Sequence, residues 1–352
     1  MRYIFWLIII LLIFVRFITT RPSFIDGQKI RITEKVLQEP TRYDNFQVTK
    51  LLGLKISLPA FPEIIYGDEI IVEGVVDDDK LFDAKLISVK RQNTGLFVVR
   101  KKLLEFYKNA FPSPHSSLVA GVVIGSKEGI SGNFWESLKN SGTLHVVVAS
   151  GMNVTLVAGF LMTLFLSVLS RKMAVTTSII GIWSYALISG LDAPIVRAAI
   201  MGSLAFGAQA LGRINLASRA LITSIVVMLL IKPDWLLDLG FILSVVATAS
   251  LMLFEAKINR KILFVPSIFR EGLSTSLAAQ IGVAPILFIV FKQFNIISPL
   301  VNAITLWTIP PITVIGAIAG VIGLVFFDLG KLILYLIYPL TSWFIFMVNL
   351  FG

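Results

Sequence analysis

From Leu144 to the C-terminus the chain is a succession of apolar runs long enough to cross a bilayer, and this constrains it more than any other feature. Hydrocarbon offers no partner for backbone N–H and C=O groups, so such runs must close their hydrogen bonds internally as helices. Candidate spans fall at about 143–169, 173–190, 194–211, 217–231, 235–254, 273–291, 297–325 and 331–351. A further apolar run, Tyr3 to Ile18, follows Arg2 and is succeeded by Thr-Thr-Arg-Pro rather than by small cleavage-site residues. It therefore reads as an uncleaved anchor, residues 1–20, with its N-terminus inside. The connections then alternate in charge. Arg171/Lys172, Arg213/Arg219, Lys257/Arg260/Lys261/Arg270 and Lys331 fall inside, and only Lys232 and Lys292 fall in short outside connections. The expectation is a polytopic α-helical membrane protein of about nine spans.

With no Cys and only two His, His115 and His145, the sequence excludes disulfides, thiolate metal sites and His-rich metal centres. No P-loop or G-x-S-x-G occurs, so no cofactor and no metal are expected. The net charge of +10 is uneven. Residues 25–92 hold ten Lys/Arg against twelve Asp/Glu, while the remainder carries a net +12. The positive-inside rule accounts for most of that excess, which also suits an anionic cargo.

Residues 25–92 differ in character from the rest. Alternation appears in Lys29–Thr33, Gly53–Leu58, Glu69–Val76 and Leu81–Val89, and more weakly in Asn45–Lys50. The turn signals Asp26-Gly27, Leu52-Gly53, Tyr66-Gly67-Asp68 and Asp77–Lys80 separate these segments. Some five short strands at this spacing predict a small closed barrel or sandwich, soluble and outside the membrane. Its aromatics, Tyr43, Phe46, Phe61 and Tyr66, suit either a barrel core or base stacking.

Residues 93–142 form a linker. Leu96 to Phe111 has the spacing of an amphipathic helix, suited to a membrane surface or to packing on the barrel. The apolar patch Leu118–Ile124 is too short to span and reads as re-entrant or interfacial.

Residues 143–352 hold the candidate functional positions. As one helix, Ser141 to Val154 would place Gly142, His145, Ser150 and Asn153 within an arc of roughly 140°, with Leu144, Val148 and Met152 opposite. Polar residues on one face of a span line a protein-enclosed interior or bind neighbouring helices together, and both readings stand. Gly190 to Ala199 places Asp192 as an N-cap, Pro194 in the first turn and Arg197 about one turn in, a plausible anion site. Ser244 follows Asp238 near another span start, while Gln280 with Pro285, and Asn302 before Pro310-Pro311, mark interrupted spans that face a bundle interior. His145 and Ser150, five apart on one segment, cannot meet as base and nucleophile, so catalysis is not expected.

These residues resemble a known family. Gly142-Thr143-Leu144-His145 with Ala149-Ser150-Gly151 is similar to the G-T-x-H-L-L-x-x-S-G-L-H signature of ComEC-type competence proteins. The likeness continues in order through Arg197-Ala198, Lys232-Pro233, Gly240–Ser244, Ala279-Gln280, and Pro299–Asn302 with Pro310. The second His of the signature is Asn153 here, the Gln of G-F-Q-L-S is Ile242, and the barrel lacks the cysteine pair of some members. The resemblance implies an extracytoplasmic OB-like domain after the first span and passage of single-stranded DNA through the helical bundle of a cytoplasmic (inner) membrane. His145, Ser150, Asn153, Asp192, Arg197, Ser244, Gln280 and Asn302 would line the pathway. Full-length members carry a C-terminal metallo-β-lactamase-like domain. This sequence ends at Gly352 without one, so a separate nuclease is expected, with an external DNA receptor and a cytoplasmic helicase as further partners. A transporter of a small anion or lipid-linked precursor, and a membrane assembly scaffold, are the alternatives.

Overall fold

The computed structural model describes residues 2–20, 24–42, 45–92, 95–148, 150–213, 217–292 and 295–352. The chain divides into two compact units, residues 1–101 with 226–236, and residues 102–225 with 237–352.

In the first unit, α1 (Arg2–Thr20) precedes β1 (Lys29–Lys35), β2 (Thr41–Arg42), β3 (Phe46–Leu51), β4 (Leu54–Pro59), β5 (Glu69–Asp77) and β6 (Lys80–Lys90). The five expected strands are present, joined by the two-residue β2. They form one sheet in the order β1-β5-β6-β4-β3-β2, antiparallel except where β4 runs parallel to β6 at Lys55–Lys80 and Ile56–Leu81. Strand alternation puts Ile32, Leu51, Ile56, Ile70, Val72 and Leu81 into a single apolar core. Near its centre the register of β5 against β6 shifts around Gly74, where a Cβ would press on Leu81 Cγ at 2.7 Å. The buried Gln47 is satisfied: Nε2 donates to the carbonyls of Pro59 and Pro62 at 2.8 Å each, and Oε1 accepts from Ile64 N at 3.0 Å. Of the aromatics, Tyr66 is core, Phe61 is exposed and Phe46 is partly exposed, while Tyr43 lies outside the described residues.

Helix α2 (Leu96–Ala110) begins in this unit. The buried Arg100 reaches Glu39 at 3.4 Å and lies 5.0 Å from the Tyr66 ring centre, and Phe97 packs on the same ring.

The second unit is helical. It holds α3 (His115–Ile124), α4 (Gly132–Asn140), α5 (Leu144–Val147), α6 (Gly151–Leu166), α7 (Arg171–Ser189), α8 (Ala193–Ala210), most of α9 (Ala217–Ile231), α10 (Leu239–Lys261) and α11 (Ser267–Phe291). It ends with α12 (Ser298–Thr305), α13 (Ile309–Gly323), α14 (Phe327–Tyr335) and α15 (Tyr338–Phe351). Every expected span contains helix. Among the described residues four are long and apolar enough to cross a membrane, Leu144–Leu166, Leu239–Lys261, Ser267–Val290 and Ser298–Gly323, or five if the pair α14–α15, bent by 54°, is one span.

Glycines set the close approaches. A Cβ on Gly316 would meet Val123 of α3 at 2.9 Å, one on Gly320 the Tyr107 ring at 3.0 Å, and one on Gly323 the Phe106 ring. The small-residue stripe of α13 thus receives α3 and the second half of α2, where Leu103, Phe106, Tyr107 and Ala110 are buried. Tyr107 donates to Gly316 O at 2.9 Å. The apolar stripe of α2, expected to suit a membrane surface, is covered by protein. The Leu118–Ile124 patch lies in α3, nine of whose ten residues are buried.

Candidate functional site

The stretch from Ser141 to Val154 is not one helix. α5 stops at Val147, Val148 and Ser150 have extended backbones (ψ 136° and 163°), and α6 starts afresh at Gly151. The four residues assigned to one polar arc therefore separate. His145 points to the exterior, its Nδ1 3.0 Å from Gly142 O, while Asn153 is fully buried in the first turn of α6. A β-like break inside a span exposes a new helix start and its unbonded N–H groups.

Two further helix starts meet this one. A Cβ built on Gly151 would lie 2.8 Å from Arg197 Nη2, 3.5 Å from Ala198 Cβ and 3.7 Å from Pro194 O, so the start of α6 lies against the first turns of α8. A Cβ on Gly240 would come within 3.9 Å of Pro194 Cδ, which brings the start of α10 to the same proline. Apolar packing holds the arrangement beneath: Val154 and Ala158 of α6, Ile182 and Ala186 of α7, and Ile195 and Ala199 of α8 form one buried cluster.

Among the described residues, several side-chain atoms at this junction lack partners. Arg197 is 9% exposed, and its Nε and Nη1 are buried without a hydrogen bond. Ser150 Oγ and both side-chain atoms of Asn153 are in the same state. Ser150 and Asp192 occupy the N-cap positions of α6 and α8 but cap neither helix with their side chains, contrary to the cap expected of Asp192. Only α10 is capped, by Asp238 Oδ1 accepting from Phe241 N at 2.9 Å. Among the described residues no carboxylate forms an ion pair with Arg197. A buried guanidinium is stable only when paired or hydrogen-bonded, and helix starts favour negative charge, so the chemistry of the junction suits an anion.

Gln280 and Asn302 belong to a different cluster. Gln280 Nε2 donates to Asn295 O at 2.9 Å, and Asn295 Oδ1 accepts from the backbone of Ile297 and Ser298. Asn302 Nδ2 donates to Ser276 Oγ at 2.8 Å and to Ser298 Oγ at 3.3 Å. Ser298 Oγ in turn lies 3.4 Å from Gly142 O, and Asn295 Nδ2 donates to Asn140 O. This chain of bonds ties the turn before α5 to α11 and α12. Ser244 stands apart, half-buried on α10, its carbonyl accepting from Thr248. The sequence reading named Gly151 and Gly240 within motifs but not as the positions whose missing side chains permit the junction, and it passed over Asn295, which joins the second cluster. The Ser-Gly and Gly-Phe steps of the motifs were the available signals.

The helical unit combines four or five helices long and apolar enough to cross a membrane with a buried cation on α8, the features of a membrane protein. The family is shown by comparison: residues 122–352 match the model of the competence protein family, and the chain belongs to it. It is 27% identical over 226 residues to "ComE operon protein 3" of Bacillus subtilis (strain 168), covering 64% of this chain and 28% of that protein. It is 24% identical over 220 residues to "Competence protein ComA" of Neisseria gonorrhoeae, covering 57% of this chain and 30% of that protein. The match thus spans under a third of either relative. No solved structure matches the chain.

Proposed function

We propose that the chain takes up single-stranded DNA across a cytoplasmic membrane during natural transformation, its helical unit forming the conduit. The observation that carries this reading is the guanidinium of Arg197 against the start of α6, its Nε and Nη1 buried without a partner among the described residues. A phosphate backbone is the anion that a chain of the competence family is expected to meet, and free N–H groups with a guanidinium suit it. Ser150 and Asn153 share the pathway with Arg197, with Asp192 at its edge. Gln280 and Asn302 act one step removed, holding the turn that carries His145. Conduction is passive in this chain, and direction comes from a cytoplasmic helicase or another external force.

The arrangement across the membrane belongs to the same proposal. The alternating basic connections support about nine spans with the β unit on the extracytoplasmic side. The parallel β4–β6 pair within an otherwise antiparallel sheet supports an OB-like, partly open barrel.

The test is reconstitution of the purified chain in liposomes with labelled single-stranded oligonucleotides outside. Length-tolerant, sequence-independent accumulation that is lost in Arg197→Ala is expected. Equal accumulation by a well-folded Arg197→Ala protein would refute the assignment.

A further inference from the structure

Deepening the conduction reading, on which its DNA source rests, we infer that the Arg197 junction is a binding site for one singly charged phosphodiester, and that it discriminates against doubly charged phosphate. The argument is a balance of charge. The site contains one buried cation, and its guanidinium lies against Gly151, the first residue of α6. Neither α6 nor α8 is capped by a side chain, so N–H groups at the start of α6 remain for ligand oxygens, whereas in α8 Pro194 has no N–H and Ile195 N donates to Asp192 O at 2.9 Å. Asn153, fully buried with its amide unpartnered, adds neutral donors and acceptors.

Two carboxylates border the junction. Asp192 stands at the start of α8, and Asp238 caps α10, with its Oδ1 3.0 Å from the position of a Cβ on Gly240. Each adds a negative charge beside the single cation, so a second charge on the ligand would be both unpaired and repelled. Nothing there reads a base: the groups offered are a fork of N–H donors, backbone amides and small polar side chains. A diester also tolerates the apolar packing of Val154, Ile195 and Ala198 beneath the site, because its two ester carbons need no hydration.

The same chemistry occurs in a DNA backbone and in a glycerophospholipid headgroup, and the experiment separates them. The full chain, purified in detergent, is titrated with dimethyl phosphate and with inorganic phosphate above pH 7 at matched ionic strength, following its thermal midpoint. Dimethyl phosphate is expected to raise the midpoint and to bind at least several-fold more tightly than inorganic phosphate. The rise should disappear in Arg197→Gln, persist in weakened form in Arg197→Lys, and shrink in Gly151→Ala, whose new methyl displaces the guanidinium. Inorganic phosphate binding as well or better, no rise with dimethyl phosphate, or an undiminished rise in Arg197→Gln would each overturn the inference. In a second arm, an oligothymidylate is compared with its uncharged methylphosphonate counterpart and with vesicles of phosphatidylglycerol. A rise with the charged oligonucleotide alone assigns the site to DNA. A rise with phosphatidylglycerol and none with the oligonucleotide leaves the diester site standing and removes the conduction reading.

Discussion

Gly142 and Gly151, nine residues apart, each leave room for one neighbouring side chain. Gly142 has φ +75°, and a Cβ there would collide with the Ser298 side chain. Alanine at 142 suffers both backbone strain and a clash, so Gly142→Ala should lower stability by about 1–3 kcal/mol in chemical denaturation of the detergent-solubilised chain. The β unit supplies a pH effect. Asp68 is buried, accepting from Ile65 N at 3.0 Å and from Arg91 Nη1 at 2.8 Å. Burial nevertheless dominates and pushes its carboxyl above the usual range, while Ile65, Arg91 and Gln92 pull it down. A carboxyl raised on folding contributes stability that is complete below its unfolded value and is lost as pH rises through its folded value. Thermal unfolding of the β unit, read by proteolysis, should show that loss across the carboxylate range, and Asp68→Asn should flatten it.

Packing between elements is where single atoms decide most. Gly320→Ala in α13 would push a methyl into the Tyr107 hydroxyl and to within 2.9 Å of Leu103 Cδ2, and should cost about 1–3 kcal/mol in the same denaturation experiment. Tyr107→Phe removes only the hydroxyl bonded to Gly316 O and should cost about 0.5–1.5 kcal/mol. The elements themselves were legible. Alternation located the five main strands and apolar length located a helix in every expected span, because both signals are periodic and local. The break between α5 and α6 was not. Ser150-Gly151 permits a kink, but nothing local states that Val148 and Ser150 become extended. The convergence on Pro194 was equally hidden, since it depends on three helices far apart in sequence. The charge of Arg197 singled it out, but only the fold reveals that its Nε and Nη1 are buried without a partner among the described residues.

At the scale of the molecule, the second unit is unevenly enclosed. Only 11% of the α10 and α11 span windows is buried, against 44% for Ser298–Gly323. These two helices are therefore little covered by the rest of the unit, and are joined to each other by contacts such as the Thr275–Glu255 hydrogen bond at 2.7 Å and Gly282 against Ser250. Because the chain has no Cys, single introduced thiols can map its sides without interference. Under the proposed topology, a thiol at Asp78 should react with an impermeant maleimide added outside cells, and one at Lys257 only after permeabilisation. Reaction of both from one side would refute the orientation.

The lone guanidinium among three helix starts also has an electrical consequence. A negative charge driven inward against 100 mV loses about 2.3 kcal/mol to the field. A phosphodiester seated on Arg197 keeps its own charge while its partner is anchored in α8, so the membrane potential still acts on the strand at the junction. The ion pair there adds a holding energy that the voltage works with or against according to its sign.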